Sequence, residues 1–339
     1  MDATVAKQKI LFITTGGTIA SVRTPQGLMP LLSSKALLES LPELGELCEP
    51  ETLSLCSIDS TDITPEHWLA LADAIRENYG CYDGFIVCHG TDTMGYTAAA
   101  LSYLIQNAGK PIVLTGSQQP ISGEITDAKK NLRDSVIAAL DPASRGVMVV
   151  FGGKVIAGTR AKKNKTISYD AFASVNFPAL AQVQGDKLVR YIPTPAPETP
   201  VRFYGALSPR VFLLKLAPGM TDALLGAIFA QYDCVIVESF GVGGIPAALM
   251  DGFAAHLGAY EKTGKILVMT TQVTYEGSDI GIYEVGKRVR ERLAFLEAHD
   301  MTIEAVYTKC MWLLAQHCRS FAELAQKFYA PVNFDTFFQ

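Results

Sequence analysis

No run of apolar residues in this 339-residue chain reaches the ~20 positions that a bilayer-spanning helix needs, although 49% of the residues are hydrophobic. No membrane association is expected. Positive charge is also scarce: 29 Lys and Arg stand against 34 Asp and Glu, the net charge is −5, and no basic block forms a stripe. Nucleic acid and anionic membrane are therefore disfavoured as partners. The seven cysteines are odd in number, lie mostly in apolar stretches and never take a Cys-x-x-Cys spacing. Buried thiols in a reducing cytosol are expected, not a disulfide framework or a structural zinc. The five histidines, His67, His89, His256, His299 and His317, form no His-x-His or His-Glu-x-x-His pair, so no metal and no cofactor is implied. Residues 1–9 are polar and run directly into an apolar strand, with no room for the regions of a signal peptide, and a cytoplasmic location is expected. A Gly-x-Ser-x-Gly elbow, a Gly-x-x-x-x-Gly-Lys-Ser/Thr loop and a full Gly-x-Gly-x-x-Gly after a strand are all missing.

The length suits two α/β domains, and the periodicity supports them. Short apolar, β-branched runs at 9–15, 52–58, 84–89, 111–115 and 147–151 read as strands. Helical patterns at 65–79, 93–107 and 126–140 lie between several of them. The first of these opens with Thr64, Pro65 and Glu66, a cap followed by a proline and an acid in the first turn. Continuous buried strands between amphipathic helices predict a doubly wound, mostly parallel sheet covered on both faces. Residues 193–204 are rich in proline and cannot continue a helix or a central strand, which predicts a linker between domains 1–192 and 205–339. The second, smaller α/β domain carries strands at 211–216, 234–238 and 266–270 and helices starting at Thr221, Ala247, Tyr283, Ile303 and Phe321.

Two strand ends carry polar residues where an α/β enzyme keeps its chemistry. Ile10 to Ile13 breaks into Thr14-Thr15-Gly16-Gly17-Thr18-Ile19-Ala20, and Phe85 to Cys88 breaks into His89-Gly90-Thr91-Asp92-Thr93. Glycine lets the backbone turn sharply and approach a ligand, leaving N–H groups and a threonine Oγ1 facing the crevice. Either run alone is more simply an ordinary strand-to-helix turn with a threonine cap. Together they resemble the two signature segments of the bacterial-type L-asparaginases, and Asp59-Ser60-Thr61-Asp62, Thr115-Gly116-Ser117-Gln118 and the Lys162-Lys163 region follow in that family's order. The likeness covers essentially the whole chain. Asp59 ahead of the serine, the Gly158-Thr159-Arg160 run and the missing signal peptide resemble the type I, cytoplasmic branch.

Hydrolysis of a side-chain amide needs a nucleophile, a proton acceptor, oxyanion donors and a grip on the charged end of the substrate. The resemblance implies Thr18 as nucleophile and Thr91, Asp92 and Lys163 as the groups that move protons, with Lys163 placed by its distance from Gly158-Thr159-Arg160 and from Tyr169 to Phe172. Lys162 is its neighbour, and residues 162–165 alone would read as a solvated basic loop. A free amino acid also carries an α-ammonium, which requires a carboxylate, and Asp92 fits that role. Asp59, Ser60 and Thr61 offer donors for the α-carboxylate, and Ser117 is placed by the resemblance against the scissile amide. The resemblance further implies L-asparagine as substrate, an acyl-threonine intermediate and a homotetramer built as a dimer of dimers.

Two positions depart from the family pattern. Leu28 stands where many members carry a tyrosine on the segment after the nucleophile, and Gly244, in Gly241-Val242-Gly243-Gly244, stands where many carry asparagine. The segment Ser21 to Pro30 reads as a loop able to close over the substrate, and Tyr283 is one candidate activator of Thr18 in the absence of the loop tyrosine. Rival readings are a glutaminase-asparaginase of broader specificity, an amidotransferase subunit acting on glutamyl-tRNA, and a non-catalytic binder of a small ligand.

Overall fold

The computed structural model describes residues 6–25, 27–30, 32–282 and 293–337. The chain forms two compact units, Met1–Gly205 and Ala206–Gln339. In the first unit the strands are β1 (Lys9–Gly16), β2 (Ser21–Thr24), β3 (Gly27–Pro30), β4 (Glu49–Ile58), β5 (Gly84–Cys88), β6 (Ile105–Gln106), β7 (Pro111–Thr115), β8 (Gly146–Phe151), β9 (Lys154–Ala157), β10 (Ala161–Lys163), β11 (Phe172–Ser174), β12 (Ala181–Gln184), β13 (Lys187–Arg190) and β14 (Arg202–Phe203). Its helices are α1 (Ser34–Glu39), α2 (Leu44–Leu47), α3 (Pro65–Asn78), α4 (Met94–Leu104) and α5 (Ala128–Leu140).

The main sheet has the order β13-β12-β9-β8-β7-β5-β1-β4. From β8 to β4 every pairing is parallel, and β9, β12 and β13 extend the other side antiparallel. The expected doubly wound, mostly parallel sheet is present, with this antiparallel extension beyond the five strands read from the sequence. Strands β1, β5 and β7 are buried along almost their whole length, which is why they read as continuous apolar runs. The chain runs from β1 outward to β4 and then returns to the other side of β1 as β5, so the order reverses between β1 and β5. Such a switch point leaves a crevice beyond the strand ends where ligands bind.

One helix is shorter than its periodicity predicts. The helix expected over 93–107 ends at Leu104, because Ile105–Gln106 pairs with Arg202–Phe203 and Asn107 takes a left-handed φ of 57°. The proline-dense segment is held by the first unit: Asn107 Nδ2 donates to Thr199 Oγ1 at 2.8 Å, and Arg145 Nη1 donates to the Thr194 carbonyl at 3.3 Å. The segment Ser21 to Pro30, read as a loop, is a β-hairpin in which β2 and β3 pair antiparallel.

The second unit holds a four-stranded parallel sheet of β15 (Val211–Lys215), β16 (Cys234–Ser239), β17 (Ile266–Thr271) and β18 (Leu296–Glu297), in that order. Its described helices are α6 (Leu225–Gln231), α7 (Ala247–Leu257), α8 (Tyr260–Thr263), α9 (Ile303–Leu314) and α10 (Phe321–Tyr329). Phe229, Phe253, Leu249, Val235 and Leu267 form its core. A fully buried ion pair, Lys309 Nζ to Asp335 Oδ2 at 2.7 Å, ties the tail to α9. The helix expected from Tyr283 lies outside the described residues.

Candidate active site

The registers of the central strands align the site. Thr14 lies beside Cys88, and Cys88 beside Thr115, so the residues after each strand start from one line across the sheet. The His89 N–H donates to the Thr115 carbonyl at 2.8 Å and continues that line past the strands.

Glycines then bring the following turns into backbone contact. Gly16 and Gly17 have φ of 104° and 76°, a region that side chains with a Cβ rarely adopt. A Cβ on Gly17 would stand 2.4 Å from the Gly90 Cα, one on Gly90 would stand 2.6 Å from Ser60 Oγ, and one on Gly116 would stand 2.3 Å from the His89 carbonyl oxygen. The turns after β1, β4, β5 and β7 therefore interlock without side chains between them. Thr18 opens a short 3-10 turn directly after Gly17, half-buried, and the β2–β3 hairpin packs against that turn. Leu28 sits in β3 opposite Arg23, and its side chain, like Tyr283, is outside the described residues.

After β5, Thr91 is buried and Asp92 is exposed. Lys163, the last residue of β10, reaches both: its Nζ donates to Thr91 Oγ1 at 2.8 Å and to Asp92 Oδ1 at 2.6 Å. The β10–β11 pairing sets Lys162 opposite Ala173 and Lys163 opposite Phe172. Neighbouring strand residues point to opposite faces, so Lys162 is aimed away from this contact. Thr93 Oγ1 donates to the Ser60 carbonyl at 2.7 Å, fixing the end of the same turn to the β4 end.

The remaining candidates are less directly engaged. Ser60 is buried with its hydroxyl against Gly90. Asp59 accepts from both Thr61 N and Thr61 Oγ1 at 2.9 Å, so both Thr61 donors are engaged within their own turn. Ser117 is buried and donates to the Gln119 carbonyl at 2.5 Å.

Four further residues support the site without standing out in the sequence. His89 is completely buried, with Nδ1 2.7 Å from the Gly90 carbonyl and Nε2 3.0 Å from Thr97 Oγ1, which also accepts from Trp68 Nε1 at 2.9 Å. A carbonyl only accepts, so Nδ1 carries the proton and Thr97 donates to Nε2. Burial holds this imidazole neutral, its pKa pushed down to about 4, partly offset by the Gly90 hydrogen bond. Asp127, at the start of α5, accepts from Gln118 N at 2.9 Å and Gln119 N at 3.0 Å. Asn131, one turn on, donates to the Gly116 carbonyl at 3.0 Å and accepts from Gly152 N at 3.0 Å. Gln118 accepts from Thr91 Oγ1 at 3.2 Å. Asp127 and Asn131 did leave a signal: polar residues four apart on the helix face that also carries the buried Ala128 and Leu132.

The arrangement joins a half-buried hydroxyl after a glycine turn to a lysine–threonine–aspartate group at the switch point of a parallel sheet. Among the described residues no group of three or more His, Cys, Asp or Glu is placed to hold a metal. No helix among them is long and apolar enough to cross a membrane.

Comparison with known proteins gives concordant matches for both units. Residues 9–195 match the family model "Asparaginase, N-terminal", and residues 210–328 match "Glutaminase/Asparaginase C-terminal domain". The chain is 38% identical over 318 residues to the L-asparaginase of Thermococcus kodakarensis, covering 93% of this chain and 95% of that one. A solved structure of the thermostable L-asparaginase from Thermococcus kodakarensis superposes with a TM-score of 0.90 at 36% identity, covering 96% of this chain and 98% of the other. A glutamyl-tRNA(Gln) amidotransferase subunit from Pyrococcus abyssi is 30% identical over 331 residues, which is 93% of this chain but 74% of that protein.

Proposed function

The chain belongs to the asparaginase family, and from that premise we propose that it is a type I, cytoplasmic L-asparaginase, hydrolysing L-asparagine to L-aspartate and ammonia. The observation that carries the proposal is the contact of Lys163 Nζ with Thr91 Oγ1 and Asp92 Oδ1 next to the glycine-interlocked Thr18 turn.

In this reading Thr18 Oγ1 attacks the side-chain amide carbon, and its proton passes by way of Thr91 and Lys163 to the departing amide nitrogen, which leaves as ammonia. The product of that step is a β-aspartyl ester on Thr18. Water then attacks the ester carbonyl, giving up a proton to the same relay, and aspartate leaves with Thr18 restored. Asp92 pairs with the substrate's α-ammonium, and its present contact with Lys163 is the one the substrate amine would share. Ser60 and backbone N–H groups after β4 bind the α-carboxylate, and Ser117 lies against the scissile amide. No metal or cofactor enters the sequence of steps, and the working form is a homotetramer assembled as a dimer of dimers.

The likeness to an amidotransferase subunit supports a second reading, an amidase that feeds ammonia to a glutamyl-tRNA partner. The higher identity and near-complete coverage of the L-asparaginase favour the free amino acid. Ammonia release from asparagine and from glutamine, measured side by side over a concentration series, tests the proposal. A kcat/KM for asparagine at least about tenfold above that for glutamine supports it, since one methylene is worth ~1–3 kcal/mol in a pocket. Equal values indicate the broader glutaminase-asparaginase, and release from neither indicates that a partner is required.

A further inference from the structure

We propose that Ser21 is a positioning residue that fixes Thr18 by clamping the peptide unit in front of it. The inference rests on the reading of Thr18 as nucleophile and adds to it the side chain that holds that residue in place. Glycine imposes little on its own backbone, so the peptide plane between Gly17 and Thr18 can swing about the Gly17 Cα–C bond unless something outside holds it. The near side of Gly17 is fixed, because its N–H donates to the Ile58 carbonyl at 3.1 Å and its Cα is closed in against Gly90. The far side is held through its carbonyl oxygen, which accepts from Ser21 Oγ at 2.9 Å and from Ala20 N at 3.2 Å. Ser21 is buried, so water does not compete for the shorter of these bonds. A peptide unit is planar and trans, and the direction of the Gly17 carbonyl therefore dictates where the Thr18 N–H and Cα lie. From that Cα, Thr18 Oγ1 is placed by one rotatable bond.

The neighbouring carbonyls are held in the same way. Ser21 N donates to the Thr18 carbonyl, Ile121 N to that of Ile19 at 3.3 Å, and Leu32 N to that of Ala20 at 2.9 Å. Four consecutive carbonyls, Gly17 to Ala20, are thus occupied, whereas among the described residues neither the Thr18 N–H nor its hydroxyl has a partner. The turn hangs from its carbonyls and leaves the polar groups of Thr18 to the crevice. Ser21 Oγ is the side chain in this set of donors, the others being backbone groups, so it is the one that substitution removes.

Ser21→Ala removes the clamp but leaves Ala20 N on the Gly17 carbonyl, so the fold should persist. Moving reacting atoms by about 1 Å costs roughly a hundredfold in rate, and loosening one of two bonds should cost less, so kcat for asparagine should fall about tenfold with KM within about threefold. Ser21→Thr and Ser21→Val share one shape and differ by the hydroxyl. Whatever the added methyl group does to both, Ser21→Thr should keep a kcat about tenfold above that of Ser21→Val. Ser102→Ala controls for the loss of a buried serine: Ser102 Oγ donates to the Ala98 carbonyl at 2.8 Å across the same four-residue step within α4, and its removal should leave kcat within about twofold. Amide hydrogen exchange, read by mass spectrometry on fragments spanning the turn, should be about threefold faster in Ser21→Ala and Ser21→Val than in wild type and Ser21→Thr. Equal kcat in Ser21→Thr and Ser21→Val overturns the proposal, as does a loss in Ser102→Ala as large as in Ser21→Ala, or exchange that ignores the hydroxyl. Wild-type protein that hydrolyses no amide, with exchange still following the hydroxyl, would remove the asparaginase reading and leave the Ser21 clamp standing.

Discussion

Acid should destabilise the first unit through a single imidazole. His89 is fully buried and hydrogen-bonded at both ring nitrogens as a neutral group, and its pKa falls from the usual 6.5 to about 4 because burial penalises the charged form. In the unfolded chain the same side chain takes a proton near pH 6.5. Above that pH both states are neutral and the shift contributes nothing to pH dependence. Between pH 6.5 and about 4 the unfolded state holds one more proton, so stability is lost progressively as pH falls, and below about 4 the loss stops growing. The gap between 6.5 and about 4 corresponds to about 3 kcal/mol by linkage. Carboxylates also titrate on this limb, so the quantity to measure is a difference between variants. Trp68, which donates to Thr97 in the same network, reports locally once Trp312 in the second unit is replaced by phenylalanine. Urea unfolding of that Trp312→Phe protein and of its His89→Asn derivative, followed by fluorescence at one protein concentration, gives the two stabilities. The derivative should be less stable at pH 7.5, because Thr97 loses its acceptor, but the gap should narrow by about 3 kcal/mol on going to pH 4. A gap that stays constant with pH would refute the assignment of His89 as a neutral, buried anchor.

Thr18→Val keeps the shape of a half-buried side chain and removes its hydroxyl, so the melting temperature should hold while kcat falls by roughly three orders of magnitude or more; measurable turnover near wild type would remove Thr18 as nucleophile. Asp92→Asn should leave stability within about 1 kcal/mol, since the Asp92–Lys163 pair is 58% exposed on the Asp92 side, yet should reduce kcat/KM by roughly a hundredfold or more through loss of the ammonium partner. Normal kinetics in that variant would assign the ammonium to another carboxylate. Lys163→Met should lose activity by orders of magnitude and Lys162→Met should be nearly silent, because strand alternation sends the two side chains to opposite faces; the reverse ranking would place the relay on the wrong lysine.

The parts of the fold that were legible in the sequence are those with strong periodicity and few alternatives. Strands β1, β5 and β7 are buried almost throughout, so each carries a continuous apolar run, and the helices α3 and α5 between parallel strands show their apolar stripes. Edge elements gave no such signal. Strands β12 and β13 alternate buried or half-buried positions with exposed ones over only four residues each, and the β2–β3 hairpin is equally short. Of the candidate site, the residues on strand ends were marked by glycines, whereas Gln118 lay in a noted motif without a role, since its partners are a hydroxyl and a carbonyl far away in sequence. The Thr61 donors faced their own turn because a neighbouring aspartate two residues earlier competes for them locally, which is a property of Asp-x-Thr turns that spacing alone does not weigh against a ligand.

The glycines explain why two motifs some seventy residues apart act as one. Gly17 faces Gly90 so closely that Gly17 has no space for a Cβ, and Gly90 is closed in the same way by Ser60, so the turns that carry Thr18, Thr91 and Ser60 can reach their positions only together. Their geometry is thus set by backbone contact in the core of the sheet. Lys163 is set differently. It arrives from a short hairpin outside the parallel strands and is held at its tip by Thr91 and Asp92. Substitutions at the glycines should therefore act first on folding, through contacts of 2.6 Å or less that nothing can relax cheaply, whereas substitutions around the β10–β11 hairpin should act on the rate while the fold persists. Fixed geometry thus belongs to the strand ends, where backbone meets backbone, and the position of Lys163 belongs to the hairpin, where it depends on side-chain contacts.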